Sequence, residues 1–348
     1  MFTPDYRNIL SVLRNERPAR LPVYEHIINN ESMEAITGET FGELALSDNP
    51  ADLREYFRHY CKFWKDMEYD TVSYEICIGR FIGYEALRGG IGQIQTPADF
   101  EAFPWEEVPK RYWAKSAARF DALRAALPAG MKAIGGVGHG VFEQAENLTG
   151  LEYLPYMAAD YPELHDALYE KIGWLMDTIW REFLVRYKDC FVAGRFGDDM
   201  GYKCSLLTHP DVVRRNVIPQ YRRVIKTIHD AGLPFLYHSC GCIFEVMEDI
   251  IATGINAKHS NEDAIAPFDV WIEKYGSRIG LFGGFDMDFL CLKKPAEIKE
   301  AVIERGTRFR RTARGYALGS GNSIAPYMPA ENYLAMLEGA RVIREREA

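Results

Sequence analysis

Pro234-Phe235-Leu236-Tyr237-His238-Ser239-Cys240-Gly241-Cys242 reads as a buried strand that ends in a cluster of soft ligands. An uninterrupted apolar run suits a strand covered on both faces, as in a parallel sheet. Side chains alternate along a strand, so His238, Cys240 and Cys242 fall on one side. His238 and Cys240 stand about 6.6 Å apart along such a backbone, within reach of one ion; Cys242 lies about 13 Å from His238 unless the chain turns at Gly241. The plain alternative is a buried thiol beside a hydrogen-bonded imidazole. Position in the fold has to decide between them.

Working outward, apolar strands of the same kind alternate with longer amphipathic helices. Upstream stand Leu21–Ile28, Tyr69–Ile76, Met131–Gly138 and Cys190–Gly197; downstream stand Gly254–His259, Arg278–Asp286 and Arg314–Ser320. Between them, Pro50–Trp64, Trp113–Leu127, Leu164–Tyr187, Pro210–His229 and Ala330–Arg344 carry helical spacing. Gly79–Gln95, rich in glycine and aromatic residues, predicts a β-hairpin inserted after the second strand. Eight strand–helix repeats in residues 1–348 argue for a single (β/α)8 barrel, an α/β TIM barrel with N-terminal helices. The competing doubly wound sheet is disfavoured because no Gly-x-Gly-x-x-Gly turn follows the first strand.

Composition narrows the function. The chain has 348 residues, 47% of them apolar, and a net charge of −9. The densest basic stretch is Arg308–Arg314, so neither nucleic acid nor an anionic membrane is an expected partner. Seven cysteines in a chain this long do not make a disulfide scaffold. With no signal-peptide pattern and no apolar run of membrane-spanning length, a reducing cytoplasm is the expected location.

Barrel enzymes place chemistry at the C-terminal ends of their strands. Those ends read Glu25 and His26; Glu75; His139; Asp198 and Asp199; His238 and Cys240; His259; Asp286; and Ser320 to Asn322. Almost every end carries an ionisable or ligand-type side chain, which points to an enzyme. Asp198, Asp199 and His259 are the candidate catalytic groups, and His238 and Cys240 the candidate metal ligands. One of the two aspartates has a duller option, capping a helix. Glu75, Tyr24, Glu143 and Asn322 are the candidate substrate-binding residues, with Tyr74, Phe142 and Tyr202 as further aromatic lining. The Gly319-Ser320-Gly321-Asn322-Ser323 loop lacks the Lys-Ser/Thr of a nucleotide P-loop.

Five segments carry a resemblance: Asp198-Asp199-Met200-Gly201, His238-Ser239-Cys240-Gly241, Lys258-His259-Ser260, Phe282-Gly283-Gly284-Phe285-Asp286, and Leu318-Gly319-Ser320-Gly321-Asn322-Ser323-Ile324-Ala325-Pro326. In these the chain resembles the uroporphyrinogen decarboxylase superfamily, and within it the corrinoid-dependent methyltransferases. The resemblance implies a (β/α)8 barrel and transfer of a methyl group between a small methylated substrate, such as an aromatic methyl ether or a methylamine, and a cobalt corrinoid. The Asp-x-His-x-x-Gly corrinoid signature is absent from this sequence, so the corrinoid would ride on a separate partner protein. The resemblance also implies zinc, held in the coenzyme M methyltransferases by a His-x-Cys pair, here His238 and Cys240, and by a distant Cys that falls on Asn322. An amide is a weaker zinc donor than a thiolate. Cys242, His259, Asp198 and Glu75 are then open as third ligand, as is a site without metal. The decarboxylases' Arg-rich stretch after the first strand has no counterpart in Ile27-Ile28-Asn29-Asn30-Glu31, which makes tetrapyrrole decarboxylation the second reading and a non-catalytic binding barrel the third.

Overall fold

The computed structural model describes residues 2–82 and 91–347. Seven parallel strands follow one another in chain order: β1 (Thr71–Cys77), β2 (Lys132–Gly138), β3 (Phe191–Gly197), β4 (Phe235–His238), β5 (Ala257–His259), β6 (Gly280–Phe285) and β7 (Tyr316–Ser320). Helices cross between neighbouring strands and cover the outer face, giving a curled TIM-barrel-like sheet. Pro50–Asp66, Glu107–Ala126, Pro162–Tyr187, Pro295–Thr312 and Ala330–Glu347 are the long ones. The Pro210–His229 prediction is a continuous helical run with a π turn over Val213–Val217. It runs into Pro219, which has no N–H to continue the regular ladder.

One expectation needs correction. Leu21–Ile28 is not a full eighth strand. It runs alongside β7 and makes isolated parallel bridges, Val23 to Leu318 and Ile28 to Ile324. No ladder among the described residues joins it to β1, so the backbone does not close a complete eight-stranded barrel there. Side chains span the gap instead: the Ser73 hydroxyl donates to the His26 carbonyl. The hairpin predicted over Gly79–Gln95 falls largely on 83–90, outside the described residues. On its flanks Ile78–Phe81 is a short 3-10 helix and 91–96 contain no strand.

Alternation along the strands builds the interior in layers. Tyr24, Ile134, Ala193, Leu236, Ala257, Phe282 and Ala317 form an apolar layer inside the barrel, closed from below by Ile9, Val12 and Leu13 of the helix Arg7–Leu13. Two residues further along, the same faces carry His26, Arg195, His238 and His259, all buried. The step from apolar to ligating residues is therefore one layer deep. No helix among the described residues is long and apolar enough to cross a membrane.

Candidate functional site

Register brings the imidazoles together. His238 on β4 pairs with His259 on β5, and their Nδ1 atoms lie 2.8 Å apart. His259 Nε2 lies 3.0 Å from the Ser320 carbonyl at the end of β7. The His26 ring stacks on His238, with 3.8 Å between centroids and 10° between planes. Burial and the positive charge of Arg195 hold His26 and His238 well below the ordinary imidazole range, and burial brings His259 down to about 3. All three rings are neutral at physiological pH.

β4 ends at His238, earlier than the predicted strand, and the chain turns at Gly241, where φ is +77°. Cys240, just past the strand end, holds its Sγ 3.5 Å from His238 Nε2. The Cys240 amide donates to Asp199 Oδ1 at 2.7 Å, and the same oxygen lies 4.0 Å from His238 Nε2. His238, Cys240 and Asp199 thus present an imidazole, a thiol and a carboxylate around one point. With zinc bonds of about 2.0 Å to nitrogen and 2.3 Å to sulfur, tetrahedral ligands stand ~3.6 Å apart, so the His238–Cys240 spacing fits. The Asp199 oxygen is wider than tetrahedral spacing, on a partly exposed side chain that the Cys240 amide holds beside the sulfur. A thiolate and a carboxylate would also balance the charge of a divalent cation. Burial and the neighbouring Asp199 push the Cys240 thiol well up, so the sulfur needs a cation to ionise. Donors wait for it: Asn322 Nδ2 at 3.2 Å and the Ser260 hydroxyl at 3.7 Å. The residues fit zinc. A second grouping, His26, His238 and His259, does not, because lone pairs in stacked rings run side by side rather than converge.

This corner opens into a cavity of about 290 Å³ lined by His26, Glu75, Arg80, His139, Glu143, Asp199, His238 and Asn322. A second space of about 300 Å³ shares Glu75, Cys77 and Arg80 and continues to Tyr56, Tyr60 and Tyr74. Glu143 sits among carboxylates. Burial and then Asp199, Asp198 and Glu146 push it well above the usual range, and Glu146 rises to about 8 chiefly by burial. This environment favours the protonated form of both.

Several expected site residues lie elsewhere. Asp198 takes the helix-capping option. Its oxygens accept from the Phe142 and Glu143 amides at 3.0 and 2.8 Å and from the Tyr221 hydroxyl, so it anchors the helix Val141–Thr149 from beneath the cavity. Tyr24 is buried under the site, its hydroxyl bound by Arg195 at 2.7 Å and its ring edge-on to His259 and Phe282. His259 lies behind His238, sealed from the cavity. Glu75 lines the cavity, yet one of its oxygens is taken by Arg195. Phe142 is buried and Tyr202 faces solvent. Of the third ligands considered, Cys242, His259, Asp198 and Glu75 do not join His238 and Cys240; Asp199, which was not among them, does. Sequence reasoning passed over Arg195, although a lone arginine inside an apolar strand signals a buried carboxylate partner.

Residues 121–342 match the family model for uroporphyrinogen decarboxylase (URO-D). Among solved structures, a methyltransferase from Methanosarcina mazei aligns over 96% of this chain and 97% of its own, with a TM-score of 0.75 at 16% identity. A GH5-4 broad specificity endoglucanase from an uncultured bacterium reaches only a TM-score of 0.45 at 10% identity, over 99% of this chain and 97% of its own. No curated protein matches the sequence significantly. The family match spans β2 to β7 and includes every member of the His–Cys–Asp corner; the chain belongs to the uroporphyrinogen decarboxylase (URO-D) family.

Proposed function

We propose that the protein is a methyltransferase that moves a methyl group between a small methylated substrate, such as an aromatic methyl ether or a methylamine, and a cobalt corrinoid carried on a separate protein. The observation that carries this reading is the His238–Cys240–Asp199 corner opening on a small cavity at the C-terminal end of the strands. A zinc ion there, held by these three side chains, would supply Lewis-acid stabilisation to the oxygen or nitrogen that gives up or takes the methyl group. The chain's own groups do the rest. Glu143, whose burial among carboxylates favours its protonated form, stands on the cavity wall as proton donor to the leaving atom. Tyr56, Tyr60 and Tyr74 supply an aromatic wall for the substrate body. Glu75, held by Arg195, keeps that wall in register with the ligands.

The family name favours a tetrapyrrole decarboxylase as the second reading. Such a substrate brings several carboxylates, whereas the cavity lining sets one guanidinium, Arg80, beside three carboxyl groups, Glu75, Glu143 and Asp199. The Arg195 guanidinium is already committed to Glu75, Tyr24, Ser73 and the His26 carbonyl. The deciding assay mixes the purified protein with a reduced corrinoid protein and a panel of methylated compounds while recording the cobalt spectrum. Conversion of the reduced spectrum to the methylated one with a particular compound is expected. Unchanged spectra across the panel, together with decarboxylation of a porphyrinogen, would overturn the methyltransferase reading.

A further inference from the structure

We propose that His259 is the positioning residue of a divalent-cation site formed by His238, Cys240 and Asp199, because it sets the tautomer of His238 so that a bare Nε2, not an N–H, faces the other two donors. This deepens the metal part of the function proposed above and rests on it for the presence of a cation.

The assignment follows from one group that can only accept. The Ser320 carbonyl has no hydrogen, so His259 Nε2, 3.0 Å away, must carry one. In a neutral imidazole the other nitrogen then has a lone pair. That lone pair, on Nδ1, faces His238 Nδ1 at 2.8 Å, so the His238 nitrogen is the donor. Its second nitrogen, Nε2, is left unprotonated, 3.5 Å from the Cys240 sulfur. The opposite proton placement would set a lone pair against the carbonyl oxygen.

The far end of the relay is itself held. The Ser320 amide donates to Glu25 Oε1 at 2.9 Å, and the Ser320 hydroxyl bonds both Glu25 Oε2 and the Asn322 carbonyl. The loop that carries the carbonyl therefore also carries Asn322, whose Oδ1 accepts from the Ser323 amide while its Nδ2 donates to the Cys240 sulfur. Asn322 is thus a support for the sulfur, and Asp199 takes the third ligand position. A ligand imidazole whose other nitrogen donates to a fixed acceptor is both oriented and made more basic.

Two measurements test this. In apoprotein labelled with 15N-histidine, His238 is expected as the Nδ1–H tautomer. In cobalt(II) titrations, a thiolate-to-cobalt charge-transfer band is expected, absent in Cys240→Ala and weakened in affinity in Asp199→Ala. His259→Phe should lose about 10–100-fold in cobalt affinity. His259→Gln should recover much of that, since its amide can donate to Ser320 and accept from His238. Wild-type affinity in His259→Phe, an Nε2–H tautomer at His238 in the wild type, or no cobalt binding by the wild type would each overturn the proposal. If His259→Phe fails to fold, the wild-type tautomer and the Gln variant decide. Normal cobalt binding with no methyl transfer to any corrinoid would sink the methyltransferase reading and leave this one standing.

Discussion

Arg195 on β3 reaches Glu75 on β1 with two nitrogens on one carboxylate oxygen, Nη2 at 2.8 Å and Nε at 2.9 Å. The guanidinium is sealed from water and the carboxylate nearly so. Its remaining nitrogen binds Tyr24, Ser73 and the His26 carbonyl. A single side chain thus ties the incomplete first strand to the sheet, where no backbone ladder does so. Leaving either charge alone in this layer costs about 3–5 kcal/mol, whereas replacing both with apolar residues of similar volume is far milder. Glu75→Gln and Arg195→Met are each expected to lose that much in urea unfolding. The double variant Glu75→Leu with Arg195→Met should recover most of it. Equal loss in the double variant would show that the pair is not coupled.

The same seam depends on Gly319. A methyl group there would sit 1.9 Å from the Tyr24 carbonyl oxygen, and backbone cannot step aside as a side chain can. The neighbouring bonds, Tyr24 N to Leu318 O at 2.8 Å and Leu318 N to Pro22 O at 3.0 Å, are what hold the first segment to β7. Gly319→Ala is expected to cost about 1–3 kcal/mol by overpacking and to speed hydrogen exchange at the Tyr24 and Leu318 amides. Unchanged exchange at both positions would contradict this account of the seam.

Much of this architecture was legible in the sequence because apolar strands and amphipathic helices alternate without interruption. The fourth predicted strand, Cys190–Gly197, starts one residue later, at Phe191, and ends at Gly197 as expected, and Leu164–Tyr187 lengthens only to Pro162–Tyr187. The first strand was overread, since Leu21–Ile28 has strand composition while its pairing is decided by β7 and by side chains from β1 and β3. At the site, strand alternation placed His238 and Cys240 within reach of one another, as the 3.5 Å contact bears out, although β4 itself ends at His238. Adjacency in sequence could not separate Asp198 from Asp199. One accepts two helix amides and the other turns to the cavity, and that division is made by the helix Val141–Thr149, some fifty residues earlier. The His238–His259 contact is a register effect and has no local signal.

Glu25 gives a pH dependence. Burial raises its carboxyl to about 8, against an ordinary value of 4.5. The folded protein therefore keeps a proton that the unfolded chain releases above its ordinary pKa. The stability it confers is complete below that value and is lost as pH rises toward about 8, by at most ~1.4 kcal/mol per pH unit. Glu25→Gln copies the protonated form, accepting from the Ser320 amide and donating to its hydroxyl, which passes on to the Asn322 carbonyl. Urea unfolding at about pH 4.5 and about pH 8 should find the variant similar to wild type at the lower value and more stable at the higher one. A parallel fall in both proteins would mean that Glu25 ionises normally.

Metal binding should appear as stability before it appears as activity. A cation that binds the folded state through Cys240, Asp199 and His238, which come together only after β3 and β4 pair, stabilises by mass action. Zinc at 100 times its dissociation constant adds ~2.7 kcal/mol. Chelator-treated protein is expected to melt at a lower temperature than protein with added zinc. In Cys240→Ala that zinc-dependent increment should vanish while the chelated baseline barely moves, because Cys240 is only partly buried and stands outside the apolar core. The other six cysteines are free as well, so Cys204→Ala, at an exposed position, serves as the control and should keep the full increment. An increment of equal size in Cys240→Ala would place the zinc elsewhere on the molecule and remove the metal from the His–Cys–Asp corner.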